Sequence, residues 1–173
     1  MRIRRLESLD DSRHVADLGA ILVDCVEGGA SVNFMHPLSP QRAQAYWRSL
    51  AAGISSGERI LLVAQEADGT LAGTVQVVAA PAENQPHRAD IAKMLVHRRA
   101  RRRGLGAALM QEAENQARQA GKTLLVLDTV TDLEGARLYA RMGWQRCGSI
   151  PGFALFPNGG LCETTIYFKH LDS

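Results

Sequence analysis

The sequence predicts an α/β domain on a mixed sheet, and three observations carry that prediction. Two apolar runs, "RILLVAQ" and "LAGTVQVVAA", flank Asp68-Gly69, a strong short-range hairpin signal. Between Asp90 and Thr129, a strand, an arginine- and glycine-rich turn, a helix and another strand follow in order. Such a unit forms a right-handed crossover whose two strands run parallel. The whole order then reads strand, two helices, hairpin, strand, helix, strand, helix, strand, strand.

Length and composition set the bounds. At 173 residues the chain fits one domain, residues 1–173, with no length for a second core. Its 46% hydrophobic and 22% charged residues are ordinary for a globular protein. A net charge of +2 makes the arginine run a local feature, whereas a nucleic-acid binder carries a larger basic excess. That run also lacks interleaved aromatics for stacking and any helix-turn-helix or zinc pattern, so no nucleic-acid partner is expected. "MRIRRLESLDDSR" has no apolar stretch behind it and no run reaches 18 apolar residues, so neither a signal peptide nor a membrane span is expected. Cys25, Cys147 and Cys162 are too few and too scattered for a disulfide framework or a metal site, which fits reduced thiols in the cytoplasm.

Element by element, "IRRLES" opens as a strand, and Asp10-Asp11 lead into a helix over Ser12–Val26. Val15, Leu18, Ile21, Leu22 and Val26 give that helix one apolar face. "EGGASVNFMHPLSP" is a long loop with two glycines and two prolines. Ser39 caps a second helix with Pro40 at its first position; it carries Tyr46, Trp47 and Leu50 and ends near Gly53 or Gly57. Strands are expected at Arg59–Glu66 and Leu71–Ala79, and after "AENQPH" at Asp90–Val96. That last strand breaks clean alternation, as burial on both faces requires. Leu105, Ala108, Leu109, Ala113 and Ala117 mark the next helix, and "KTLLVLDT" is another buried strand. "DLEGARLYARMGW" is a short helix stopped by Gly143. Strands at Trp144–Ile150 and Glu163–Lys169, joined through "PGFALFPNGG", complete the chain.

The segment "HRRARRRGLGAALM" therefore sits where a strand gives way to a helix. A helix N-terminus offers unpaired N–H groups and about half a positive charge to an anion. Gly104 and Gly106 let the backbone approach it without a Cβ in the way, and arginine adds charge-assisted contacts to phosphate oxygens. Together these form a pyrophosphate cradle. It is not a P-loop, because no Gly-Lys-Ser/Thr follows, and the dinucleotide pattern G-x-G-x-x-G fails at Leu109.

The pattern Arg101-x-x-Gly104-x-Gly106 resembles the R/Q-x-x-G-x-G/A signature of the GNAT superfamily of N-acetyltransferases. "LYARMGW", Leu138 to Trp144, is similar to that family's L-Y-x-x-x-G-F segment, with Trp144 in the aromatic place. The order of elements fits the family from end to end. More narrowly, "GGASVNFM", "KMLV", "LDT" and "IYFK" resemble the tabtoxin resistance acetyltransferases. There are departures. Arg98 stands where the family often has proline, Arg102 where it often has glycine, and Asp132 where an asparagine often opens the tyrosine-bearing helix.

The resemblance implies a mostly antiparallel sheet of six to seven strands flanked by about four helices, its central parallel pair splayed. It implies acetyl-coenzyme A (acetyl-CoA) as cosubstrate, held by the backbone of Met94, Leu95 and Val96 and by Arg101, Arg102, Arg103, Gly104, Leu105, Gly106, Ala107 and Asp132. Arg101 and Arg103 are expected to flank the phosphates, with Arg98, Arg99 and Arg102 as a solvated rim. Tyr139 matches the tyrosine that protonates the leaving sulfur, a role suited to a phenol with a pKa of about 10. For the base, the sequence offers Asp128 at a strand end, Asp90 at a strand start, and His36 in the long loop. Asn33, Phe34 and His36 are expected to cover the acceptor. The expected partner is a small-molecule amine, such as an antimetabolite or antibiotic, acted on by a monomer or homodimer. A protein N-terminus or lysine as acceptor, and a coenzyme-A-binding domain without turnover, are the other readings.

Overall fold

A computed structural model describes residues 1–131 and 134–171. The chain runs through β1 (Arg2–Leu6), α1 (Ser12–Glu27), α2 (Pro40–Ser49) and the single turn α3 (Ala51–Ser55). It continues through the hairpin of β2 (Arg59–Gln65) and β3 (Leu71–Ala79), then β4 (Arg88–Val96) and a 3-10 turn, Arg98–Ala100. Then come α4 (Leu105–Gln119), β5 (Leu124–Val130), α5 (Glu134–Arg141), β6 (Gln145–Leu155) and β7 (Leu161–His170). Local chemistry sets the helix starts. Asp11 accepts from the N–H of Arg13 (2.8 Å) to open α1, and Ser39 accepts from the N–H of Arg42 (3.2 Å) to open α2.

The strands form one sheet in the order β1-β2-β3-β4-β5-β7-β6. Every neighbouring pair is antiparallel except β4 and β5, which are parallel as the crossover rule requires. Each face of the sheet carries its own core. On one face Leu105, Leu109, Met110, Ala113 and Ala117 of α4 and Tyr139 of α5 pack on Ile60, Leu62, Val75, Val77 and Leu125. On the other, Leu18, Ile21 and Leu22 of α1 and Trp47 of α2 pack on Leu61, Val63 and Leu95. Strand β2 thus serves both cores by alternation, Ile60 and Leu62 to one side and Leu61 and Val63 to the other.

Strand β6 departs from the expected boundary. It continues through Pro151 to Leu155, so the connection to β7 is a tight turn at Phe156–Gly160 rather than a ten-residue loop. The register slips between Arg146 and Gly148 and again between Ile150 and Ala154, with Gly152 at φ +64°. The bulge absorbs Pro151, whose missing N–H an edge strand tolerates.

Candidate active site

Two breaks in regular structure create the site. The parallel pairing of β4 and β5 covers Arg88↔Leu124, Ala89↔Leu125 and Asp90↔Val126, and then stops. Beyond it, β4 stays paired to β3 and β5 to β7, so the two central strands part. On its other edge β4 is bulged: the register against β3 shifts between Thr74 and Gln76, and Lys93 takes φ +49°. The backbone of Met94, Leu95 and Val96 therefore runs past the parting with no β5 rung opposite it.

The cradle lies just past the end of that strand. Gly104 is the N-cap of α4 at φ +76°, the left-handed region that favours glycine. The first intrahelical bond is donated by Ala108 to Gly104 O (3.1 Å), so the N–H groups of Leu105, Gly106 and Ala107 precede the ladder. Gly106 is a close approach: a Cβ there would lie 3.1 Å from Leu138 Cδ2 and 3.9 Å from the Met94 sulfur. The start of α4, the end of β4 and α5 thus converge on one point. Arg102 sits at φ +60°, which explains in backbone terms why glycine suits this position. The Leu105 side chain is buried, so only its backbone faces the cradle.

The arginines divide differently from the sequence expectation. Arg98 and Arg99 are not simply a solvated rim. Arg98 donates to Asp24 from both its backbone N–H (2.7 Å) and its Nε (2.9 Å), and lies 3.4 Å from Glu27. Arg99 is paired with Glu66, which also holds Arg103 at 3.5 Å. Arg101 donates from Nε to Val96 O (3.3 Å). These contacts tie the turn to α1 and to the β2–β3 hairpin.

Asp24 anchors the turn. Burial pushes its carboxyl up, but the two Arg98 bonds and the His97 ring 3.3 Å away outweigh it and hold the pKa below the ordinary 3.8. A depressed carboxylate contributes stability that is present above the unfolded value of 3.8 and lost as pH falls through the folded one. Asp24→Ala should therefore cost roughly 1–3 kcal/mol at pH 7, the scale of a hydrogen bond to a charged group. Urea unfolding at pH 7 and pH 3 checks this, and an equal gap between wild type and variant at both values would refute it.

On the other side of the parting is a cavity of about 280 Å³. Asn33, Phe34 and Met35 of the long loop form one wall, and Phe153 and Leu155 of β6 another. Asp128 and Thr129 at the end of β5 lie among its lining residues. Asp128 and the loop residues Asn33 and Phe34 thus line one cavity. His36 is not among these residues: it is exposed, and its backbone N–H is held by Pro157 O (3.0 Å). Asp90 is also elsewhere. It occupies the last rung of the β4–β5 ladder, the closed end of the parting, and pairs with Arg88 at 2.5 Å. Asp132 lies outside the described residues.

Tyr139 is 6% exposed, its ring 6.1 Å from Trp144 and 6.0 Å from Tyr167. Helix α5 presses close to β5 because Gly135 has no side chain; a Cβ there would meet Thr129 Oγ1 at 3.2 Å and the Tyr139 ring at 3.5 Å. Burial, reinforced by the negative charge of Asp128, pushes the phenol above its ordinary pKa of 10.0. Its proton is retained at neutral pH.

Sequence reasoning passed over Lys93. Its Nζ donates to Asn33 Oδ1 (2.9 Å) and lies 5.7 Å from the centre of the Tyr46 ring. The available signal was a charge inside an otherwise apolar strand, "IAKMLV". Among the described residues, no group of three or more His, Cys, Asp or Glu is placed to hold a metal ion. No helix among them is long and apolar enough to cross a membrane.

The chain is 31% identical over 129 residues to an uncharacterized N-acetyltransferase encoded in the hisH–hisA intergenic region of Azospirillum brasilense, an alignment covering 73% of each chain. Its fold is similar to that of yncA from Salmonella typhimurium, solved with its cofactor acetyl-CoA. The TM-score is 0.81 and the identity 19%, over 100% of this chain and 95% of that one. A ribosomal-protein-alanine N-acetyltransferase from Brucella melitensis also superposes with a TM-score of 0.81 at 19% identity, over 99% and 100% of the two chains. The pattern of the acetyltransferase (GNAT) family matches residues 29–144. The chain belongs to that family.

Proposed function

We propose that this protein moves the acetyl group of acetyl-CoA onto the primary amine of a small molecule. One observation carries the reading: the strands β4 and β5 part beside the first turn of α4, with Asp128 and Tyr139 at that parting. The residues present fit the coenzyme. The free N–H groups of Leu105, Gly106 and Ala107, opened by Gly104 and flanked by Arg101, Arg102 and Arg103, would hold its pyrophosphate. Met94, Leu95 and Val96 would hold the pantetheine arm along the unpaired edge of β4.

Bound there, acetyl-CoA supplies an activated thioester acetyl group. Asp128, exposed at the cavity, accepts the proton that the acceptor's ammonium must lose. Tyr139 keeps a phenolic proton ready for the sulfur that leaves. Asn33 and Phe34 close over the acceptor, and the cavity of about 280 Å³ is sized for a small amine. The similarity of the loop, β4 and β7 segments to the tabtoxin resistance acetyltransferases supports an antimetabolite as the natural acceptor.

Thermal unfolding tests the cradle. Acetyl-CoA at about 100 times its dissociation constant should add about 2.7 kcal/mol of stability, read as a rise of several degrees in Tm. Gly104→Val should abolish the rise while the protein still folds. Nothing crowds a Cβ at Gly104, so its own cost is the left-handed backbone, about 1–2 kcal/mol. ATP, NAD and duplex DNA should do little, and equal stabilisation by ATP would overturn the assignment. Thiol release over a panel of amines, antibiotics and peptides then identifies the acceptor.

A further inference from the structure

Three non-glycine residues among those described hold a positive φ: Asn33 (+73°), Lys93 (+49°) and Arg102 (+60°). Arg102 belongs to the cradle. The other two are joined by a hydrogen bond between Lys93 Nζ and Asn33 Oδ1, although they lie 60 positions apart in the chain. Such backbone conformations are costly and persist where the surrounding structure holds them, most often at binding sites. Here the bulge in β4 and the turn in the long loop aim both side chains at the same place.

The charges there are unbalanced. The ammonium of Lys93 has three donors, and its one described hydrogen bond goes to a neutral amide. No carboxylate pairs with it among the described residues, whereas Lys169 is paired with Glu114. Burial pulls its pKa down and the nearby charge of Arg59 pulls it further, while Asp128 pushes it back up. Arg59 is itself fixed by Gln76 Oε1 (2.5 Å). Asn33 lines the cavity together with Asp128, so its hydrogen bond sets the Lys93 ammonium at the edge of that cavity.

We infer that Lys93 is a specificity-determining residue that takes a carboxylate of the acceptor, so the acceptor class is amino acids and related amino-carboxylates. The zwitterion matches the site: its ammonium meets Asp128 and its carboxylate meets Lys93, with Asn33 between them. This rests on the acetyltransferase reading for the fate of the amine, but the recognition of the carboxylate is separable from turnover.

The test uses matched pairs. Wild-type protein with acetyl-CoA is assayed by thiol release on a panel of amino acids and on their carboxamides, which keep the amine and lose the charge. The acids should be favoured about 10- to 100-fold in kcat/KM, the scale of one charge-assisted hydrogen bond. Lys93→Met should erase that preference, mainly through KM, and Lys93→Arg should restore part of it. A second readout needs no turnover. N-acetylated amino acids should protect Lys93 of the wild-type protein from reductive methylation, and their carboxamides should not, with Lys122 as internal reference in mass spectrometry. Equal turnover of acids and carboxamides, a Lys93→Met protein that still prefers acids, or no protection by any N-acetylated acid would each overturn the inference. Protection of Lys93 with no thiol release on any acceptor would leave it standing and refute acetyl transfer instead.

Discussion

Tyr139→Phe should lower turnover by on the order of 10²-fold or more while leaving stability and acetyl-CoA affinity nearly unchanged. The substitution keeps the ring that packs against Trp144 and Tyr167 and removes the only proton this residue can donate. Loss of a positioned general acid is usually worth 10²- to 10⁴-fold. A packing residue with a hydrogen-bonded tip behaves oppositely: its loss costs roughly 1–3 kcal/mol of stability with the rate per folded molecule intact. Because burial and Asp128 raise the phenol's pKa, its ionisation should not appear as a limb of the pH–rate profile near neutrality. The same shift has a stability consequence of definite sign. The unfolded chain loses this proton near pH 10.0 and the folded one later, so this contribution holds below pH 10.0 and fades above it. Kinetics and unfolding on one preparation separate the two roles, and full activity in a destabilised Tyr139→Phe protein would remove this residue from the chemistry.

How much of this was legible in the sequence depends on the range of the interaction. The cradle could be read because its physics is local: glycines, arginines and a helix start within ten residues. The hairpin at Asp68-Gly69 and the caps at Asp11 and Ser39 are local in the same way. The family likeness brought Tyr139 forward, its place at a strand end made Asp128 one of three candidate bases, and the structure sets these two within electrostatic reach of each other. What escaped depends on distant partners. Arg98 reads as one charge in a run until Asp24, 74 residues away, is folded against it. Lys93 reads as a strand residue until the bulge turns it toward Asn33. The expected end of strand β6 at Ile150 rests on proline and glycine as turn signals, but a bulged edge strand accommodates both. Asp90 looked equivalent to Asp128 as a carboxylate in an apolar stretch. Only the register shows that one lies at the closed end of the parting and the other at its open end.

The largest loss of stability should come from Glu114, a residue with no contact to the cavity. Its side chain is 1% exposed, within the apolar face of α4, where an unpaired carboxylate would be strongly disfavoured. Side chains from two other elements satisfy it. Trp144 donates its indole N–H to Oε1 (3.0 Å), and Lys169 of β7 donates to Oε2 (2.7 Å) and also to Met142 O (2.8 Å). One buried carboxylate therefore binds α4, the turn after α5 and β7, the elements that position the cradle and Tyr139. Removing one member of a buried ion pair costs about 3–5 kcal/mol, and here the part-buried Lys169 ammonium is left without its counter-ion. Glu114→Ala should lose that much in urea unfolding, a drop in Tm of roughly 2–4 °C per kcal/mol for a chain of this size. Replacing the pair together, Glu114→Leu with Lys169→Met, should recover much of the loss, since apolar side chains of similar volume leave no orphaned charge. Trp144 would still lack an acceptor for its N–H, so recovery should stop short of wild type by roughly 1–3 kcal/mol. A double variant no more stable than Glu114→Ala would show that the cost lies in lost packing, not in the stranded lysine.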